Sequence, residues 1–143
     1  MNYFMVFFIF VVILILFYVS VMDVMYRVIP NIAILILFIF ILIYKVLFSN
    51  IQINFILISC VFGVGILMYA TQIMGAGDVK LITVLTFLIP EYPLFISFLF
   101  YTTLTGAGLA VLGYMIPALK FKERGLPYGV AIALGFLMIA CPH

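Results

Sequence analysis

The chain has 143 residues, 70% of them apolar and 7% charged, with a mean hydropathy of +1.53. A water-soluble domain carries about 25% charged residues, so the composition excludes that class and indicates a single membrane domain, residues 1–143. A net charge of +2 is too small to suggest nucleic acid as a partner, and the two cysteines, Cys60 and Cys141, form neither a CxxC motif nor a disulfide framework.

The opening segment, MNYFMVFFIFVVILILFYVS, has no Lys or Arg ahead of its apolar run. That run also exceeds the ~7–15 residues of a signal-peptide core, so it reads as a retained transmembrane helix. Uncharged runs follow at 28–44, 46–77, 92–119 and 125–142, with a shorter one at 81–90. About 20 apolar residues cross the ~30 Å of hydrocarbon in a bilayer. The 46–77 run is too long for one crossing, and SNIQIN at 49–54 supplies a turn. The pattern predicts an all-α polytopic fold of six transmembrane helices, near 3–22, 31–48, 54–72, 75–89, 94–116 and 127–141.

The cations set the orientation. Arg27, Lys80, Lys120, Lys122 and Arg124 fall in alternate connections, while Lys45 alone lies toward the other side. The positive-inside rule then places the N- and C-termini outside and puts Asp23 and Asp78 on the same, cytoplasmic face. In the fourth helix the apolar stretch from Leu81 to Ile89, ahead of Pro90, is nine residues, only ~14 Å at the helical rise. To reach a workable length this helix has to begin at or before Gly75, which draws Asp78 below the membrane surface. Ionisable groups there are costly and usually functional.

Asp23 and Asp78 are therefore the candidate catalytic pair. Gly75 and Gly77 lack the side chains that would hold a neighbouring helix away. Two carboxylates in close contact share a proton, so one can act as a base toward water while the other polarises a carbonyl. The only histidine is His143, which leaves no Ser/His/Asp set and no His/Cys cluster for a metal. No metal and no cofactor is expected. On the residues alone other roles stay open: Arg27, four positions after Asp23, offers a simple ion pair, and a buried aspartate also suits ion binding or proton relay. Lys80 reads first as a cytoplasmic anchor, and Asn31 as the cap of the second helix. Glu91 and Glu123 read as solvated turn charges.

GAGDVK at 75–80 resembles the GxGD signature of membrane aspartyl proteases, in the GxGDxK form of type IV prepilin peptidases. DVMYRVIPN at 23–31 is similar to the segment that carries that family's first catalytic aspartate. GLPYGVAIALG at 125–135 resembles its late P-[FY]-G segment. The resemblance implies that Asp23 and Asp78 are catalytic, and that Gly75, Gly77, Lys80, Pro30, Asn31, Pro127, Tyr128 and Gly129 belong to the active-site motifs. Packing near the site is the favoured role for Gly129. It also implies a multi-pass protein of the cytoplasmic membrane that removes the short basic leader of prepilin-like precursors at the cytoplasmic side. Arg27 and Lys80 are candidates for positioning the charged substrate. The connection from Asp23 to the second helix is short and has no CxxC, so the chain resembles the Tad-type or archaeal-type form, which has no N-methyltransferase activity.

Two other readings compete. A presenilin or signal-peptide-peptidase relative would share GxGD, and Pro117-Ala118-Leu119 does read PAL, but it abuts Lys120 at a helix end and no tyrosine precedes Asp23. A non-enzymatic carrier or assembly subunit would use the aspartates to bind ions. Glycine-bearing faces at Gly63/Gly65 and Gly106/Gly108 leave a homo-oligomer open.

Overall fold

The computed structural model describes residues 3–47, 53–115 and 126–140. The PAL motif, the 120–124 cations, Glu123, Cys141 and His143 lie outside the described residues, as does most of the 49–54 turn. The described residues form six α-helices and no strand: α1 (Tyr3–Tyr26), α2 (Asn31–Leu47), α3 (Phe55–Ala70), α4 (Ala76–Thr86), α5 (Tyr92–Met115) and α6 (Tyr128–Ala140). Two of them, α1 and α5, each of 24 residues, are long and apolar enough to cross a membrane. The apolar helices α2, α3 and α6 are shorter.

Helix ends follow local chemistry. α1 runs one turn beyond the expected 22, through Asp23 to Tyr26. It stops where Arg27 takes a left-handed conformation (φ 56°) and donates its N–H to the Asp23 carbonyl at 3.0 Å. At the start of α3 the Asn54 side chain accepts the Leu57 N–H at 3.0 Å, a side-chain N-cap. α4 is shorter than the expected 75–89. Its end tightens into i→i+3 bonds from Phe87, Leu88 and Ile89, and Pro90, with no N–H to donate, closes it.

The short helix is the centre of the fold. Seven of the eleven residues of α4 are buried, and α4 packs against α2, α3 and α6. α6 in turn packs on α5 and α1. The contact with α5 is close enough that a Cβ on Gly135 would lie 2.8 Å from the Thr102 backbone nitrogen, and only glycine permits that approach. The Thr105 hydroxyl adds a bond to the Ala131 carbonyl at 3.1 Å across the same interface. Gly65 of α3 is closed by Val79 of α4 and Gly106 of α5 faces Ala131 of α6, whereas Gly63 and Gly108 face open space.

On α1 the buried residues are Phe8, Val12, Leu16, Val19 and Asp23, a single stripe at three- and four-residue steps. Phe7, Phe10 and Phe17 on its other faces are more than half exposed. Such an outward apolar surface suits hydrocarbon rather than water. The core stripe of α1 thus ends on a carboxylate, which carries Asp23 into the centre of the bundle.

Candidate active site

Three helix ends meet at one end of the bundle. Asp23 lies in the last turn of α1, Asp78 in the first turn of α4, and Gly129 in the first turn of α6. Both carboxylates are buried, at 7% and 9% exposure, in a chain whose surface is largely apolar. The charge on Asp23 bears directly on Asp78, so the two sit within electrostatic reach of each other.

Each carboxylate has its own backbone donors. The Gly129 N–H donates to Asp23 Oδ2 at 2.7 Å, and the Val130 N–H adds a weaker interaction. These are first-turn amides of α6, which have no partner inside their own helix and lie at the positive end of its dipole. The Arg27 guanidinium adds a further electrostatic attraction on Asp23. Among the described residues Asp78 has the N–H of Gly75 alone, from the start of its own helix.

The glycines are fixed by space. A Cβ on Gly129 would lie 2.9 Å from Asp23 Oδ2 and 3.2 Å from both Asp23 Cβ and Cγ. A Cβ on Gly75 would lie 3.0 Å from Asp78 Oδ2. Gly77 faces the other motif, where its Cβ would come within 2.9 Å of Ile29 Cβ. The GAGDVK turn therefore packs its backbone directly on the segment that follows Asp23.

Lys80 ties the same two segments together, its Nζ donating to Asn31 Oδ1 at 3.0 Å. The carbonyl that opens α2 is that of Pro30, which accepts the Ala33 and Ile34 N–H groups at 3.1 and 3.3 Å. Asn31 thus joins two motifs, in place of the capping role expected for it. Pro127 is buried immediately ahead of α6, while Tyr128 is 41% exposed and makes no described contact with the carboxylates. All of the expected motif residues come to this end of the molecule except for the outward-facing Tyr128 side chain.

Gly129 packs tightly against Asp23 and, beyond that expected role, offers it a backbone amide. A signal was present in the sequence: Pro127 and Gly129 mark a helix start, and a helix start offers unpaired N–H groups to an anion. Among the described residues no three His, Cys, Asp or Glu side chains come together.

The model of the type IV leader peptidase family matches residues 10–111, more than half of the chain. The chain belongs to the type IV leader peptidase family. The match includes Asp23, Ile29–Asn31 and Gly75–Lys80 and ends before Gly129, so the α6 contact with Asp23 is read from the fold alone. No curated protein and no solved structure matches the chain. Membership makes it a membrane-associated protease-type protein.

Proposed function

We propose that the protein is a membrane-embedded aspartic endopeptidase that uses Asp23 and Asp78 to remove the short basic leader of prepilin-like precursors. The observation that carries this reading is the burial of two carboxylates at one end of the bundle, Asp23 against the α6 amides and Asp78 against that of Gly75. Such a pair holds one proton between its members.

The unequal surroundings divide the roles. Asp23, with the α6 amides and the Arg27 charge, is the better seat for the negative charge, and the shared proton resides on Asp78. Asp23 then takes a proton from water as the water oxygen bonds to the scissile carbonyl carbon, and Asp78 gives its proton to the carbonyl oxygen. In the second half the C–N bond breaks. The proton on Asp23 passes to the leaving nitrogen, and a hydroxyl of the tetrahedral intermediate returns its proton to Asp78. No cofactor enters and the pair ends as it began.

The cation distribution supports a multi-pass arrangement with this site on the cytoplasmic side of the cell membrane and both termini outside. Arg27 and Lys80 are the cations available at this end to position a charged substrate, with Arg27 acting mainly on Asp23 and Lys80 tied to Asn31. The absence of a CxxC insertion supports peptidase activity without N-methylation.

The test is co-expression with a prepilin-like precursor, comparing wild type with Asp23→Asn and Asp78→Asn, and reading the precursor's size and new N-terminus. Trimming by wild type and its loss in each variant, at equal membrane levels, supports the reading. Trimming that survives in both variants refutes it and assigns the acids to ion binding or structure.

A further inference from the structure

α4 divides its surface between two sides. Asp78, Leu81 and Leu85 turn into the core, whereas Lys80, Thr83, Val84 and Phe87, at three- and four-residue steps, form the floor of an open groove of ≈ 600 Å³ between α2 and α3. Neither carboxylate lines it. Its walls include Phe38 of α2 and Phe62 of α3, and Phe38 meets Phe87 edge to face at 5.3 Å. The Thr83 hydroxyl already donates to the Val79 carbonyl at 2.8 Å, so the middle of the floor is apolar in effect. α3 packs chiefly on α4, which leaves the gap toward α2 without side chains to fill it.

The charge of the groove is confined to one end. Lys80 is the one ionisable side chain among the described lining residues, and its Nζ donates to Asn31 Oδ1 at 3.0 Å. An ammonium can only donate, so this bond takes the amide oxygen of Asn31 and leaves its NH2 group to other partners. Among the described residues no carboxylate bonds to Lys80, and two of its three donors remain for an occupant. An end that is positive and offers donors alone selects an anion rich in acceptors, as a phosphate ester is. From Lys80 to Phe87 the floor runs seven residues, ~10 Å at the helical rise. That lies within the ~15 Å that one leaflet contributes to a hydrocarbon core of ~30 Å.

We propose that this groove binds one anionic phospholipid, its phosphate on Lys80 and Asn31 and an acyl chain laid along Phe38, Phe62 and Phe87. Position, length and charge select this occupant together. The groove lies on the side of α4 turned away from Asp78, so a chain seated in it is not presented to the carboxylates. A membrane-spanning helix needs an apolar track through all ~30 Å of hydrocarbon, about three times the floor. A phospholipid carries its charge at headgroup depth and hydrocarbon for one leaflet, which is the pattern of the groove. A headgroup with its own ammonium brings a second cation toward Lys80, so a net negative headgroup such as phosphatidylglycerol is favoured over phosphatidylcholine. Seated there, the lipid fills the gap between α2 and α3 and braces α3 against the bundle. The proposal requires the membrane setting of the bundle and does not depend on the peptidase reading.

The chain contains no tryptophan, so a single introduced one reports on its surroundings without background. The full chain is placed in phosphatidylcholine nanodiscs as Phe62→Trp, in the groove wall, or as Phe100→Trp, exposed on α5. A minor share of the lipid is then replaced by phosphatidylglycerol or phosphatidylcholine with brominated acyl chains, which quench tryptophan on contact. At position 62 brominated phosphatidylglycerol is expected to displace ordinary lipid at least five-fold more strongly than brominated phosphatidylcholine, while at position 100 the two quench alike. Lys80→Gln should abolish the preference and Lys80→Arg should keep it. Leu35→Trp, on the α2 wall, reads the same groove if Phe62→Trp does not fold. Equal quenching by the two lipids in the groove, or a preference that survives Lys80→Gln, overturns the proposal and leaves ordinary bilayer contact. Weak quenching by both lipids overturns it as well, since a second copy or a precursor helix then covers the groove. Asp78→Asn should show the wild-type preference, so failure of the peptidase reading leaves this result unmoved.

Discussion

Gly129→Ala is expected to impair cleavage far more than it impairs folding. The added methyl would sit 2.9 Å from Asp23 Oδ2 and 3.2 Å from Asp23 Cβ and Cγ, so the carboxylate has to move by several tenths of an ångström. Oδ2 is the free end of a side chain and can turn away, which keeps the packing cost at the low end of the ~1–3 kcal/mol typical of overpacking. Turning away breaks the 2.7 Å bond from the Gly129 N–H. A hydrogen bond to a charged group is worth about 1.5–3 kcal/mol, which at ~1.4 kcal/mol per decade is a ten- to hundred-fold loss of rate. The assay is single-turnover leader cleavage in detergent or nanodiscs, read beside the thermal unfolding of the same sample. In an Asp23→Ala background the same substitution removes no hydrogen bond and meets one contact atom instead of three, so its effect on unfolding should shrink. Wild-type cleavage rates in Gly129→Ala would refute the claim that the α6 amide holds Asp23 in its working position. So would an equal stability loss with and without the Asp23 carboxylate.

The remaining predictions concern packing and proton sharing. Gly65→Ala places a Cβ 2.5 Å from Val79 Cγ1 and should destabilise the α3–α4 contact by about 1–3 kcal/mol, and Val79→Ala in the same chain should restore much of the loss; thermal unfolding of the two single variants and the double variant checks this. Gly77→Ala brings its Cβ to 2.9 Å from Ile29 Cβ, a branch point that cannot rotate away, so the two motif segments should separate. That change should lower both stability and cleavage, in contrast with Gly129→Ala. Cleavage should show a bell-shaped pH profile. At low pH both aspartates hold protons and neither accepts one from water, and at high pH neither holds a proton to give the carbonyl. Either single Asp→Asn variant should abolish activity across the whole range rather than shift one limb.

Much of the architecture was legible in one dimension. Hydrocarbon runs broken by single charges give an all-α chain and six helices, because a helix satisfies its own backbone and needs no distant partner to be recognised. The same local logic singled out Asp23 and Asp78, since a carboxylate inside an apolar run stands out wherever the chain goes next. It put the end of α1 at 22, however, because an acid after a long apolar run looks like a boundary. The helix in fact continues to Tyr26, and that acid is received by α6. This bond joins residues 106 positions apart, and the Lys80–Asn31 bond joins residues 49 apart. No periodicity encodes such pairings: they depend on which helices lie side by side, and that is set by how small residues such as Gly65, Gly77 and Gly135 let backbones approach. Sequence alone therefore determined which groups can do chemistry. Only the tertiary structure decided that the start of α6 holds Asp23 and that the two early motifs pack through Gly77 on Ile29.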